Sequence, residues 1–286
     1  MNSKFLWSVR RELWEHRSIY IAPLAVAAVV LIGFFFHVQS LAEKMFALTS
    51  LDVVRQRVAV VTPFSLAASV ILFTSFVVAL NYCLDALYSE RRDRSIMFWK
   101  SMPVSDRTTV LSKLSMVMAV IPLVAFAIAL ATQLVLFALT YATLMARGID
   151  ASTLTSNLPL VQMTIVMLYG LAVHVLWYAP IYGWLLLVSA WAKKAPFLWA
   201  ALPVFAAFVV EKIAFGTGYV GSLVQYRVMG AMREAFTANA MKEPITQISQ
   251  LDPAKFLGST GLWVGLAFAA AFLVAAIRMR RSREPI

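Results

Sequence analysis

The side chains that could do chemistry are few, and they do not come together in any recognisable reactive motif. His16, His37 and His174 are scattered over 286 residues, with no HExxH pair for zinc and no second histidine placed to clamp a haem. Hydrolysis inside a membrane would need a nucleophile with its base or a pair of carboxylates, and the centres of the apolar blocks contain neither Asp nor Glu. We therefore expect no enzymatic activity and no metal site on this chain.

One glycine pattern would indicate a nucleotide site in a different setting. Gly216, Gly218 and Gly221 spell GxGxxG, but they follow an apolar block and not a predicted β-strand, so we interpret them as a flexible turn. No GxxxxGK[ST] motif occurs in the sequence. We therefore expect no cofactor on this chain, and any ATP and Mg that drive it must be held by a partner subunit.

The composition indicates that the solvent of this chain is a lipid bilayer. Hydrophobic residues make up 61% of the sequence and charged residues only 14%, whereas soluble domains are nearer half and a quarter. The apolar residues form blocks of the length that an α-helix needs to cross hydrocarbon, and no alternating pattern typical of a β-barrel runs through them. The sequence predicts an all-α polytopic membrane protein that forms a single transmembrane domain over residues 1–286.

Six spans are predicted, and the basic residues set their orientation. The spans lie near residues 19–36, 63–84, 114–145, 160–191, 197–215 and 260–277. Segments 1–18, 85–113, 192–196 and 278–286 hold 16 of the 25 Lys and Arg residues, and the alternate loops hold 9. By the positive-inside rule both termini are predicted to be cytoplasmic. The net charge of +11 reflects this orientation, so we expect membrane lipids and no nucleic acid as partners.

Three segments outside the spans are expected to be helical. Residues 1–18 are too long and too acidic for a signal-peptide leader, and their apolar residues at helical spacing predict an amphipathic helix in the membrane interface. Apolar residues also step by three and four between Leu41 and Val58, which predicts an extracytoplasmic helix before the second span. Residues 216–258 predict one or two short extracytoplasmic helices before the sixth span.

The loop between the second and third spans, residues 85–113, is more than a basic topogenic loop. Four acidic residues are mixed with six basic ones, and the apolar run Ile96 to Trp99 sits among them. Exposed aromatic residues surrounded by charge are typical of a protein-binding helix. A helix lying on the lipid surface is the alternative interpretation. Ser105 is placed to cap the third helix at its start.

This loop resembles the coupling helix in the permease subunits of type-2 ABC exporters. That family carries E-R-x-x-x-[ST]-[IL] and then [LM]-P-[VI]-[ST] at this position, and the matching residues here are Glu90, Arg91, Ser95, Ile96, Met102, Pro103, Val104 and Ser105. The predicted layout is similar too, with an amphipathic N-terminal helix, six spans, both ends inside and short outer helices before the last span. In motif, however, the resemblance covers only residues 90 to 105.

The resemblance implies a permease that has no ATP site of its own. A separate ABC ATPase subunit would supply ATP hydrolysis, and a second permease copy or paralogue would complete the transport path. The residues implied to couple the ATPase to transport are Glu90, Arg91, Arg92, Asp93, Arg94, Ser95, Phe98, Trp99, Lys100, Pro103, Ser105 and Asp106. Trp99 is the expected anchor, because buried aromatic residues dominate the energy of protein interfaces.

Polar residues inside the spans are candidates for lining a transport cavity. Asn81, Gln133, His174 and Tyr178 lie at membrane depth, where polar groups face either protein or a water-filled space. A hydrogen bond between helices is the competing interpretation for each. The apolar character of the spans favours an amphipathic or hydrophobic cargo, and the single Cys83 and absence of N-x-[ST] sites fit a bacterial inner membrane.

Two other functional classes stay open at this stage. A membrane anchor or signalling subunit could recruit a cytoplasmic partner through the same loop without moving any cargo. A lipid-modifying enzyme would have to use Asp85, Glu90 and Asp93, whose spacing matches no hydrolytic or transferase signature. A polar-lined central cavity would favour transport over the anchor.

Overall fold

The computed structural model describes residues 3–48, 53–95, 105–237 and 244–282. No β-strand occurs within these ranges, and six helices in them are long and apolar enough to cross a membrane. The candidate spans are Ser18–Val38, Arg55–Arg92, Asp106–Ala146, Leu154–Trp191, Pro196–Phe215 and Thr260–Ser282. The chain is therefore an all-α polytopic membrane protein, as the sequence predicts.

The first part of the chain forms three helices. Helix α1 (Ser3–Glu15) is the predicted amphipathic helix, with Trp7 and Trp14 exposed and its apolar residues Val9 and Leu13 packed against the bundle. Helices α2 (Ser18–Leu48) and α3 (Val53–Asp85) carry the first two spans. The segment from Leu41 to Val58 is largely helical as expected. Its residues 41–48 continue α2 and residues 53–58 begin α3, so within the described residues they do not form a separate helix.

The charged loop and the third span follow. Helix α4 (Tyr88–Arg92) is short, and helix α5 (Asp106–Ser115) starts at Ser105, whose hydroxyl accepts a hydrogen bond from the Thr108 N–H at 3.1 Å as predicted. A π-helical turn (Met116–Val120) joins α5 to α6 (Ile121–Ala146). Pro122 follows this turn and has no N–H to donate to the carbonyl four residues earlier, which is a common reason for a local change of helix type.

The remaining spans and the outer helices complete the fold. Helix α7 (Ser152–Asn157) precedes the long α8 (Leu160–Trp191), which is followed by α9 (Pro196–Phe215). The predicted extracytoplasmic segment contains α10 (Tyr219–Ala235), a 3-10 turn (Ile248–Gln250) and α11 (Pro253–Gly258). Helix α12 (Thr260–Ser282) is the sixth span.

Two of the apolar interior regions lie at opposite ends of the bundle. At one end, apolar residues of α2, α3 and α6 pack around the fully buried Phe64 and Leu136. At the other end α1, α3, α8 and the π-helical turn pack around Tyr82, Cys83 and Met116. Helices α8 and α12 approach closely at Gly183, where an added Cβ would lie 3.2 Å from the Ala269 carbonyl oxygen. Small residues permit this kind of contact between helices in a membrane.

Candidate functional site

A cluster of six charged side chains lies behind the charged loop. It joins α1, α4, α5 and α12 at the end of the bundle that we call the loop end. The cluster, named here the ionic cluster, pairs three carboxylates with three cations: Glu12, Glu90, Asp106, Arg11, Lys113 and Arg280. Four of the six, all but Arg11 and Asp106, are buried. Buried charges persist only where opposite charges and hydrogen bonds compensate the loss of water.

Glu12 is the carboxylate at the centre of the cluster on the α1 side. Its Oε1 atom accepts hydrogen bonds from Lys113 Nζ at 2.9 Å and from Arg11 Nη2 at 2.6 Å. The Tyr82 hydroxyl donates to Oε2 at 2.7 Å, which ties the cluster to the second span. Burial by itself would raise the pKa of Glu12, but the charges of Lys113 and Arg11 and the hydrogen bonds lower that pKa to about 2. Glu12 is therefore ionised throughout the physiological range.

Glu90 is the second centre, and it connects the charged loop to the last span. Its Oε1 atom lies 3.1 Å from Lys113 Nζ, and its Oε2 atom accepts a hydrogen bond from Arg280 Nη2 at 2.9 Å. Arg280 also donates to Asp106, the first residue of α5. Lys113 thus bridges the two glutamates, and Arg280 bridges both ends of the charged loop. Arg280, in the sixth span, therefore holds Glu90 and Asp106 of the charged loop close together.

Helix α4 is also fastened to the end of α8. The Ser189 hydroxyl, which is fully buried, accepts hydrogen bonds from the backbone N–H groups of Leu87 and Tyr88, both at 2.9 Å. Arg91 donates to the carbonyl oxygens of Ala190 at 2.7 Å and Ala192 at 3.2 Å. These bonds satisfy carbonyls at the helix C-terminus, where a cation is favourable. Helix α4 is therefore held from two sides.

The structure separates the predicted coupling residues into three groups. Glu90 and Arg91 are buried and bonded within the chain, where they anchor the loop, and their predicted contact with an ATPase stays a prediction. Arg92, Asp93 and Arg94 are exposed, and Arg92 pairs with Asp93 at 2.9 Å. Ser95 is half-buried and donates to the Glu90 carbonyl oxygen, while Ser105 and Asp106 form the start of α5. Phe98, Trp99, Lys100 and Pro103 lie outside the described residues.

The four predicted cavity residues lie in different environments. Asn81 is exposed on α3 and donates to the Val77 carbonyl of its own helix. Gln133 is buried and donates to the Phe64 carbonyl at 3.3 Å, which is the alternative hydrogen bond between helices. His174 and Tyr178 do line a cavity of about 310 Å³ between α3, α6, α8 and α10. A hydroxyl from Tyr182, also in the lining, shares a hydrogen bond of 2.8 Å with His174.

Several residues of the ionic cluster were not singled out by sequence reasoning. In the sequence, Glu12 is one charge of the N-terminal segment, and Lys113 and Arg280 are two of the basic residues that indicate the orientation of the chain. One signal was present for Glu12, because it follows Val9 by three residues and so adjoins the apolar face of α1. Nothing in the sequence pattern pairs Arg280 with Glu90, which is 190 residues away.

Comparisons with known proteins leave the site to be interpreted from its own geometry. A scan of protein-family models gave no match, and neither curated proteins nor solved structures matched this chain.

Proposed function

We propose that this chain is the transmembrane permease subunit of an ATP-driven ABC exporter. A separate ABC ATPase subunit binds ATP and Mg and docks on the charged loop, and a second permease copy or paralogue completes the transport path. The cargo is amphipathic or hydrophobic. In this proposal the membrane is the bacterial cytoplasmic membrane, and both termini and the loop end face the cytoplasm.

The observation that carries the proposal is the way the charged loop is mounted. Its exposed charges, Arg92, Asp93 and Arg94, project from α4, and α4 is fixed by Glu90 and Arg91 to α5, α8 and α12. A force on an ordinary loop would be absorbed by bending of its backbone. A force on this loop is transmitted to several spans at once, because buried ion pairs and hydrogen bonds connect them. Such a mounting suits a loop that turns the movement of an ATPase into rocking of the bundle.

The packing of α9 supports a second permease copy. No residue of α9 is buried, and only 6% of its most apolar stretch is covered within the chain, against 22% to 33% for the other five spans. Phe205 and Phe208 are among the large side chains that it exposes. A span that packs so little against its own bundle is available to pack against a neighbouring subunit.

The test is purification of the tagged chain from its native membrane in mild detergent, with identification of stoichiometric partners. We expect a soluble subunit that carries a Walker A motif. Trp99→Ala is expected to lower its recovery at least tenfold, since truncation of an interface hot spot costs about 2 kcal/mol or more. Trp263→Ala is the matched control, because Trp263 is exposed at the start of the sixth span, near the opposite end of the bundle.

The outcomes separate the two functional classes. Recovery of an ATPase that is lost with Trp99→Ala and kept with Trp263→Ala supports the permease and locates its docking loop. Equal recovery with both variants would remove the loop from the docking surface. Recovery of another cytoplasmic protein and no ATPase would support the membrane anchor or signalling subunit instead.

A further inference from the structure

The cavity between α3, α6, α8 and α10 has the size of a small-molecule site. Its volume is about 310 Å³. Apolar cavities of roughly half that volume hold one benzene molecule, and small-molecule sites begin at roughly 300 Å³. The lining is mostly apolar, and the described residues that form it include no Asp, Glu, Lys or Arg. A charged ligand would therefore lose its hydration without any compensating charge.

Three polar side chains of the cavity lie on α8, and Ser75 on α3 donates its hydroxyl to the Ile71 carbonyl of its own helix at 3.1 Å. His174 Nε2 shares a hydrogen bond with the Tyr182 hydroxyl, and His174 Nδ1 has no hydrogen-bond partner among the residues described. The Tyr178 hydroxyl donates to the Val228 carbonyl at 2.7 Å, which leaves its oxygen able to accept one more bond. The Tyr182 hydroxyl can donate to His174 Nε2 or accept from it, so Nδ1 can present either a donor or an acceptor. A single hydroxyl on a ligand can satisfy both groups.

The rest of the lining favours a flat aromatic molecule. The Phe76 ring lies 5.0 Å from the His174 ring and 5.3 Å from the Tyr178 ring, so three rings already form an aromatic group at the polar side chains of α8. Gly170, one turn before His174 on α8, leaves space beside the polar group, because a Cβ added there would meet only the tip of the Phe236 ring, at 4.0 Å. Pro122, just after the π-helical turn, also lines the cavity, and such turns occur frequently at functional sites.

We infer that this cavity binds an uncharged, largely aromatic small molecule that carries one hydroxyl group. The rings stack against Phe76 and Tyr178, and the hydroxyl bonds to His174 Nδ1 and the Tyr178 oxygen. The site lies within a single subunit and needs neither an ATPase nor a second permease. The inference therefore stands or falls independently of the proposed function.

The test uses 1-naphthol and naphthalene as a matched pair of probes, since they differ only in the hydroxyl. Binding to the full chain in phosphatidylcholine nanodiscs is measured by equilibrium dialysis, with empty nanodiscs subtracted. We expect saturable binding of 1-naphthol at one site per chain, about 3- to 10-fold tighter than that of naphthalene, the usual net effect of one hydrogen bond. His174→Phe should bring this ratio close to one.

A second variant tests the site by filling it. Gly170→Leu adds a side chain to the cavity lining, where its Cβ would meet only Phe236 Cζ at 4.0 Å, and should abolish saturable binding of both probes. Gly33→Leu is its matched control in the first span, where an added Cβ meets nothing within 4 Å. Wild-type protein without saturable binding, or equal binding by Gly170→Leu and Gly33→Leu, would overturn the inference. An unchanged ratio in a folded His174→Phe variant would overturn the assigned hydrogen bond.

Discussion

Replacement of Glu12 by glutamine tests whether the ionic cluster holds the loop end together. The substitution keeps the volume of the side chain and its ability to accept from the Tyr82 hydroxyl. It leaves three cations facing two carboxylates, because Lys113 and Arg11 both lose their shared partner, Glu12 Oε1. Removing one member of a buried ion pair costs about 3 to 5 kcal/mol, since the cluster is left with an excess of buried positive charge. We expect the free energy of opening the loop end to fall by about that amount.

Cys83 provides the assay without any engineering. It is the only cysteine in the sequence, it is fully buried, and it packs in the same apolar group as Tyr82 at the loop end. Its reaction with a maleimide dye therefore requires the loop end to open. If opening and closing are fast compared with labelling, the rate follows the population of the open state. A loss of about 3 to 5 kcal/mol corresponds to an increase of roughly two to three and a half orders of magnitude in rate.

Two further variants make the result interpretable. Glu15→Gln is the control, because Glu15 lies on the same helix, is half exposed and pairs with Arg11 only at 3.5 Å; we expect a change of at most about 0.5 kcal/mol. The double variant Glu12→Gln/Lys113→Met removes the excess cation, so much of the loss should be recovered. The account of the ionic cluster would be refuted if Glu12→Gln were labelled as slowly as Glu15→Gln. It would also be refuted if the effects of Glu12→Gln and Lys113→Met on the free energy of opening were additive.

The remaining predictions concern pH and helix packing. Because the folded pKa of Glu12 is about 2 and its ordinary value is 4.5, its contribution to stability is complete above about pH 4.5 and is lost as the pH falls toward 2. The thermal midpoint of the wild type, followed by tryptophan fluorescence, should drop over that window more steeply than the midpoint of Glu12→Gln, and parallel curves would contradict the assignment. Gly183→Leu should destabilise the protein by about 1 to 3 kcal/mol by forcing α8 from α12 at the Ala269 carbonyl, with Gly33→Leu near wild type. Equal thermal midpoints for these two variants would show that the close approach contributes nothing.

Hydropathy was enough to predict the spans. The predicted fourth span, residues 160–191, coincides with α8, and the predicted fifth differs from α9 by one residue at its start. This agreement has a simple cause, because a bilayer leaves the backbone no partner except its own carbonyls, so an apolar block of sufficient length must be helical. The cap at Ser105 was predictable for a similarly local reason.

The direction of individual side chains was not predictable to the same degree. The spans are apolar on every face, so their patterns do not tell which face meets protein and which meets lipid. Asn81, a candidate for a cavity, is exposed on α3, whereas His174 and Tyr178 border the cavity between α3, α6, α8 and α10. The two charges Glu90 and Arg91 looked like their exposed neighbours Arg92 and Asp93. Their burial depends on Arg280 and on the end of α8, which are distant in sequence.

The position of Arg280 has a consequence for how the protein is made. Glu90 and Asp106 are synthesised 190 and 174 residues before the cation that they share, so they must wait through four further membrane insertions for it. A nascent chain without its sixth helix lacks Arg280, so Glu90 has only Lys113 and Arg11 as partners and Asp106 lacks its ion pair. The loop end can therefore reach its full set of ion pairs only after the last helix has entered the membrane. The ion pairs of Arg280 that fix the loop in the mature protein can therefore form only after the sixth helix, the last of the transmembrane domain, has been made.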